Sequence, residues 1–149
     1  MPAIGVSNFQ RFFRVAAGLN VDLDDLKRYN DFVDHKIDDM LIVAQATAED
    51  NNRDIINPSD LPITKGLQRS IHDFNDIDAE VQLEPILEQL AGRVPPNLTL
   101  AVETEARLPT IVGGLSVALA RTFRIVDPDQ ENPHAKQWQR AFEIFDLLL

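Results

Sequence analysis

The sequence predicts an all-α fold built from two similar helix–strap–helix units that pair within one chain. Three observations support this prediction: an amphipathic stretch without Pro or Gly from about Leu23 to Asp50, a short β-branched segment after it, and a second half that repeats the same order of elements. Corresponding positions in the two halves, such as Leu26 and Val102, lie 76 residues apart. We therefore expect one compact domain over residues 1–149, with a first unit at 7–75 and a divergent second unit at 76–149.

The first unit is predicted to begin with a short helix followed by a long one. Ser7 can cap the short helix, and Gly18 can close it. The long helix then begins near Asp22 or one of the two acidic residues after it, because negative charge is favoured at a helix N-terminus. Its apolar face recurs at steps of three and four residues: Leu26, Tyr29, Val33, Ile37, Met40, Leu41, Ala44 and Ala48.

Two further segments complete the first unit. The stretch Arg53 to Ile56 predicts a short strand-like strap, and Pro58 to Asp60 predicts the start of a third helix. That helix is expected to carry the apolar residues Leu61, Ile63, Leu67, Ile71 and Phe74.

The second half repeats this plan with weaker signals. A short helix closed near Gly92 is followed by a long helix from about Val102 to Val126 and by a final helix from about Pro133 to Leu148. Pro109 should kink or interrupt the long helix, whereas the pair Gly113-Gly114 favours close helix packing. The apolar residues of the short helix are Leu83, Ile86, Leu87 and Leu90, and those of the final helix are Trp138, Phe142, Phe145 and Leu148.

Composition excludes several classes of protein. The chain has 14 basic and 24 acidic residues, a formal net charge of −10, and neither half is basic, which argues against a general DNA binder. The absence of cysteine excludes disulfides, thiolate zinc sites and cysteine nucleophiles.

The first residues lack the pattern of a signal peptide, and no apolar stretch approaches the roughly 20 residues of a membrane helix. We therefore expect a cytoplasmic protein without membrane contact.

The order of short helix, link, long helix, strap and Asp60-headed helix resembles the histone fold, and archaeal histones in particular. In that family an Arg in the second loop precedes an Asp of the third helix by seven positions, and the two form a buried clamp. Arg53 and Asp60 have this spacing. Two such units in one chain resemble an uncharacterised bacterial family of tandem histone folds, which implies a monomer with an intramolecular pseudo-dimer. The second half departs from the pattern, because residues 127–133 contain no Arg.

Further departures concern the residues with which archaeal histones meet DNA. Those proteins have an Arg in the first loop that enters the minor groove, and Lys and Thr in the second loop that contact phosphate. This chain has Asn20 in the first loop and Asp54-Ile55 in the second. We expect weak or no DNA binding, because phosphate contacts by Lys and Arg supply most of such affinity. If DNA did bind, the surface facing it would consist of Arg11, Arg14, Lys27 and Arg28.

Candidate metal ligands are interpreted as ordinary surface residues. His35 and Asp39 lie four positions apart on a predicted helix, as metal ligands can. Their neighbours Asp31, Asp34, Lys36 and Asp38 indicate instead a solvated, mainly acidic helix face. We interpret in the same way His72 with Asp73 and Asp76, His134 near a helix start, and the alternating Asp127, Asp129 and Glu131, where Pro128 breaks an EF-hand-like pattern.

Motifs of catalysis are missing from the sequence. It contains no nucleophile elbow, glycine-rich phosphate loop or His-Glu pair at zinc spacing, so we predict no catalytic, cofactor-binding or metal-binding residues. The leading hypothesis is a non-enzymatic interaction module that acts through contacts with a protein partner. One alternative is a nucleoid-associated DNA-binding protein. The second is a small-molecule or metal-dependent enzyme, which would need a polar cleft with shifted titratable groups.

Overall fold

The computed structural model describes residues 6–81 and 94–149, and the regular structure within these ranges is helical. This confirms the all-α part of the prediction. The predicted short helix through Leu83, Ile86, Leu87 and Leu90, closed near Gly92, lies outside the described residues. One turn of 3₁₀ helix spans Pro58–Asp60. The α-helices are α1 (Val6–Ala17), α2 (Leu23–Asp50), α3 (Lys65–Val81), α4 (Val102–Val126) and α5 (Ala135–Leu148).

α1 is a short helix anchored by aromatic side chains. It ends where predicted, because Gly18 has a φ of +67°, a left-handed conformation that glycine adopts without steric cost. Its start differs from the prediction, because the helix already includes Val6 and Ser7 is therefore not its cap. The buried side chains on its inner face are Phe9, Phe12 and Phe13.

α2 has the predicted bounds and the predicted acidic cap. The carboxylate of Asp22 accepts the N–H of Asp25, and the carboxylate of Asp25 accepts the N–H of Asp22, so the two residues form a reciprocal capping box. Two charged residues of this helix, Asp25 and Lys36, are buried. The predicted apolar face is confirmed by the burial of Leu26, Tyr29, Val33, Ile37, Met40, Leu41, Ala44 and Ala48.

The connection between α2 and α3 differs from the prediction. Pro58–Asp60 forms a single 3₁₀ turn, and α3 begins only at Lys65, so Leu61 and Ile63 precede the helix. The cause is Pro62, because the residue before a proline is biased toward extended backbone, and Leu61 has a ψ of 132°. Leu61 is nevertheless buried, so the segment still contributes to the core.

α3 packs closely against α4, and two glycines permit this contact. A β-carbon on Gly113 would overlap the ring of Phe74, and one on Gly114 would lie 2.5 Å from the side chain of Ile71. The expectation of close packing at this glycine pair is confirmed. α4 also runs without interruption through Pro109, because the one backbone hydrogen bond lost there is outweighed by the burial of Pro109 and the residues after it.

α4 is long and apolar enough to cross a membrane by length and composition alone, contrary to the expectation that no segment reaches this length. In the folded chain, however, 61% of its most apolar 18-residue window is buried by the rest of the protein. Such burial is typical of the central helix of a compact core.

The two halves of the chain are joined by backbone contacts between their loops. Ile56, in the strap after α2, forms a parallel β-bridge with Leu100, which lies just before α4. Its N–H and carbonyl bond to the residues on either side of Leu100. At a second place the N–H of Asn20, before α2, donates to the carbonyl of Glu131, after α4. We call the region around the first contact the Ile56 end and the region around the second contact the Asn20 end.

Candidate functional site

Arg53 and Asp60, the expected structural salt bridge, form a bidentate ion pair at the Ile56 end. Arg53 Nη1 lies 2.6 Å from Asp60 Oδ2, and Nη2 lies 2.7 Å from Oδ1. The N–H of Asn57 donates to the same carboxylate at 2.8 Å. The hydrogen bonds from Arg53 lower the pKa of the buried Asp60 carboxyl to about 2. Because both carboxylate oxygens are engaged, the pair fixes the loop and offers no open acid to a ligand.

A second buried carboxylate, Asp25, joins α2 to α5. Trp138 Nε1 donates a hydrogen bond to Asp25 Oδ1 at 2.7 Å. Burial raises the pKa of Asp25, against the opposing effect of its hydrogen bonds with Asp22 and Trp138. The sequence indicated Asp25 only as a capping residue, because its partner lies 113 positions away. This contact ties the start of the first long helix to the last helix.

Two hydroxyl contacts also link the two halves of the chain. The Tyr29 hydroxyl lies 2.7 Å from Ser116 Oγ, which itself donates to the carbonyl of Val112. Burial raises the pKa of Tyr29 to about 12. Thr104 Oγ1 donates to the carbonyl of Ile56 at 2.7 Å. These groups satisfy one another or the backbone, which is the arrangement of a structural core.

The four basic residues of the conceivable DNA-facing surface lie on α1 and α2. Arg11 and Arg14 on α1 and Lys27 on α2 are exposed, whereas Arg28 is half-buried. Arg28 Nη1 lies 3.9 Å from Asp25 Oδ1. Part of this positive charge is therefore already balanced within the protein.

α2 and α5 meet at a charged cluster of four residues, His35, Lys36, Asp39 and Asp146, which we call the α2–α5 cluster. Lys36 Nζ lies 3.2 Å from Asp39 Oδ2 and 2.5 Å from Asp146 Oδ1. His35 Nε2 lies 3.7 Å from Asp39 Oδ2. The hydrogen bond from Lys36 lowers the pKa of Asp146. The expectation of a wholly solvated face is wrong for Lys36, which α5 covers.

The other candidate residues are placed apart from this cluster. His72 is exposed on α3, while its neighbour Asp73 pairs with Arg121 of α4. His134 is the N-cap residue of α5, and Asp127 accepts a hydrogen bond from the side chain of Gln137. Within residues 6–81 and 94–149, the His, Asp or Glu side chains close enough to share one ion are His35, Asp39 and Asp146.

Two cavities lie against the helices that carry these residues. The smaller, about 290 Å³, adjoins the α2–α5 cluster and is lined by Asp31, Phe32 and Phe142 in addition to cluster residues. The larger, about 440 Å³, is a groove between α3, α4 and α5 whose side chains are apolar or carry hydroxyls, such as Leu67 and Ser70. The sequence could not reveal either cavity, because each is formed by residues from separate helices.

The sequence and the fold of this chain are similar to those of known proteins. A family model described as a domain of unknown function, DUF1931, matches residues 9–146. The chain belongs to the DUF1931 family. A crystal structure of a protein from Thermus thermophilus is similar to it with a TM-score of 0.85 and 43% identity, over 99% of each chain. A crystal structure of an Aquifex aeolicus protein has a TM-score of 0.82 at 21% identity, over 96% of this chain and 94% of that one.

A relative known from its sequence extends beyond the region shared with this DUF1931 chain. It is an uncharacterized protein from Aquifex aeolicus (strain VF5), 24% identical over 111 residues. The match covers 74% of this chain and 65% of that protein. The DUF1931 match itself includes Arg53 and Asp60 and extends to Asp146, so both the ion pair and the α2–α5 cluster lie within the family region.

Proposed function

We propose that this DUF1931 chain is a tandem histone-fold pseudo-dimer, a monomeric cytoplasmic protein that acts as a non-enzymatic protein-interaction module and binds DNA weakly or not at all. The observation that carries the proposal is the crossed pairing of loops at the Ile56 end and the Asn20 end. At each end, the loop before one long helix meets the loop after the other long helix. Two units related by an approximate twofold axis produce such reciprocal contacts, so the pairing supports two units joined within one chain.

The geometry of Arg53 and Asp60 supports the same interpretation of the first unit. The resemblance to archaeal histones implies a buried clamp between an Arg in the second loop and an Asp seven positions later. The bidentate pair, with its 2.6 Å and 2.7 Å contacts, has the same partners and spacing, with Asp60 buried and Arg53 half-buried. Its location beside the Ile56 end agrees with a role in fixing the strap for pairing with the other unit.

Charge at the two ends argues against DNA wrapping. Acidic side chains lie at both ends, where archaeal histones would meet DNA: Asp22 and Glu131 are exposed at the Asn20 end, and Asp54 and Glu103, the latter in the first turn of α4, are exposed at the Ile56 end. Phosphate contacts require cations in these positions, and carboxylates repel the phosphates instead. With a net charge of −10, the rest of the chain does not offset this repulsion.

The same ends have features that suit a protein partner. Leu23 at the Asn20 end and Val102 at the Ile56 end are 66% and 78% exposed, and each lies beside the acidic residues of its end. Protein interfaces have an apolar centre and a polar rim, and in this proposal each of the two side chains is the apolar centre of a contact with the partner. The enzyme alternative has less support, because the shifted carboxyl groups are engaged in ion pairs or hydrogen bonds.

Fluorescence anisotropy of labelled duplex DNA tests the proposal at about 50 mM and about 200 mM salt, a range over which phosphate-driven binding weakens steeply. We expect no saturable binding by the natural chain at either concentration. The matched variant Asn20→Arg with Asp54→Lys restores the cations of DNA-binding archaeal histones at two exposed positions. This variant is expected to gain binding at the lower salt concentration that disappears at the higher one.

A different outcome would favour the nucleoid-associated alternative. Saturable binding by the natural chain at low salt, lost when Arg11, Arg14, Lys27 and Arg28 are all changed to Ala, would overturn the proposal. Light scattering after gel filtration tests the intramolecular pseudo-dimer separately, with an expected mass of 16.8 kDa for a monomer. A stable mass of twice this value would contradict the monomeric part of the proposal.

A further inference from the structure

The α2–α5 cluster places three side chains of metal-binding type on two helices. His35 and Asp39 are one turn apart on α2, and Asp146 approaches from α5, so that their ligand atoms all lie within 4.8 Å of one another. Ligand atoms about 2.1 Å from a shared tetrahedral ion lie about 3.4 Å apart, so small side-chain rotations would close the site. His35 and Asp146 are exposed, and these rotations therefore meet little steric resistance.

The charge of the cluster is only partly balanced by the protein itself. The single ammonium group of Lys36 contacts two carboxylates, those of Asp39 and Asp146. Asp31 and Asp38 add exposed negative charge on the same helix. A divalent cation near these carboxylates would supply the positive charge that Lys36 alone does not.

The adjoining cavity gives space for the remaining coordination positions. Its volume is about 290 Å³, and its lining includes both His35 and Asp146. A water molecule occupies roughly 30 Å³ in the liquid, so the cavity has room for the water ligands of an ion held by three side chains.

We propose that His35, Asp39 and Asp146 bind one first-row divalent transition metal ion that bridges α2 and α5. An imidazole nitrogen favours such ions over Ca²⁺ and Mg²⁺, which prefer oxygen ligands throughout. α2 belongs to the first half of the chain and α5 to the second, so the bound ion joins the two halves. Because the site exists only in the folded chain, metal binding stabilises the fold.

Titration with Co²⁺, followed by visible absorption and by thermal unfolding, tests this site in the full chain. We expect one equivalent of Co²⁺ to bind and to raise Tm. The variant His35→Gln should lower the affinity for Co²⁺ by at least about tenfold, equivalent to about 1.4 kcal/mol, and remove the rise in Tm. The control His72→Gln changes an exposed histidine on α3 that also has acidic neighbours, and it should bind Co²⁺ as the natural chain does.

Lys36→Met sharpens the test, because it removes the ammonium that competes for the two carboxylates. This variant is expected to bind Co²⁺ more tightly than the natural chain. The proposal is overturned if the natural chain binds neither Co²⁺ nor Zn²⁺, if His35→Gln binds Co²⁺ as tightly as His72→Gln, or if Mg²⁺ binds as tightly as Co²⁺. If Lys36→Met does not fold, the comparison of the two histidine variants decides the question, since both histidines are exposed.

Discussion

The two connections that follow the long helices use different chemistry for the same task. In residues 51–64, after α2, the bidentate pair of Arg53 and Asp60 holds the loop in place. In residues 127–134, after α4, the side chain of Gln137 holds the loop: it accepts the N–H of His134 at 2.5 Å and donates to Asp127 at 3.2 Å.

The difference shows that two connections in one chain can be fixed by different kinds of interaction. In the first connection the side-chain bonds between Arg53 and Asp60 join two charged groups, whereas in the second they are made by the uncharged amide of Gln137. A charged pair depends on both partners and on pH, because removal or protonation of one partner leaves the other without its counter-charge. The amide contacts are individually weaker and depend less on pH.

The largest expected effect comes from breaking the charged pair. Arg53→Ala should lower Tm clearly, because the buried Asp60 carboxylate then loses both of its bonds to the guanidinium. The matched control is Arg69→Ala, which removes an exposed arginine from α3. Thermal unfolding followed by circular dichroism compares the two variants. Equal Tm values for both would contradict a stabilising role of the Arg53–Asp60 pair.

The second largest effect is expected in the pH dependence of stability that the Arg53–Asp60 pair gives to residues 51–64. The pKa of Asp60 is lowered from 3.8 to about 2 in the folded protein, chiefly by its hydrogen bonds with Arg53. The stability from this group is therefore present above about pH 3.8 and is lost as the pH falls through about 2. We expect the difference in unfolding free energy between the natural chain and Asp60→Asn to shrink over this range. Urea unfolding at several pH values measures it, and a constant difference would count against the mechanism.

The smallest effect is expected in the second connection. Gln137→Ala removes two hydrogen bonds at the start of α5, and it should lower the free energy of unfolding by about 1 kcal/mol at neutral pH. The control Gln139→Ala removes an exposed glutamine from the same helix and should change stability by less than about 0.5 kcal/mol. Urea unfolding of both variants decides the matter. A loss for Gln137→Ala as large as that for Arg53→Ala would erase the proposed distinction between the two connections.

Local patterns in the sequence were sufficient to predict the long helices. α2 has a continuous apolar face, no Pro or Gly, and an acidic cap, so its bounds followed from spacing and capping chemistry. The start of α3 was misplaced, because the constraint that Pro62 imposes on Leu61 outweighed the helix signal at Pro58–Asp60.

Contacts between distant segments could not be predicted in the same way. Lys36 has the neighbours of a solvated residue, yet it is buried because Asp146, 110 positions later, lies against it. The bond from Trp138 to Asp25 is equally invisible in the sequence, since neither residue carries a local signal for the other. The spacing of Arg53 and Asp60 could be recognised because both residues lie within one connection.

The bond between Asp25 and Trp138 also has a consequence for how the protein is made. A ribosome adding about 5–20 residues per second needs on the order of ten seconds to complete the 113 positions between them. During that interval the first long helix emerges without the later helices that bury its apolar face. Apolar surface exposed during this interval is prone to aggregation, so the first half is most vulnerable before the second half has been synthesised.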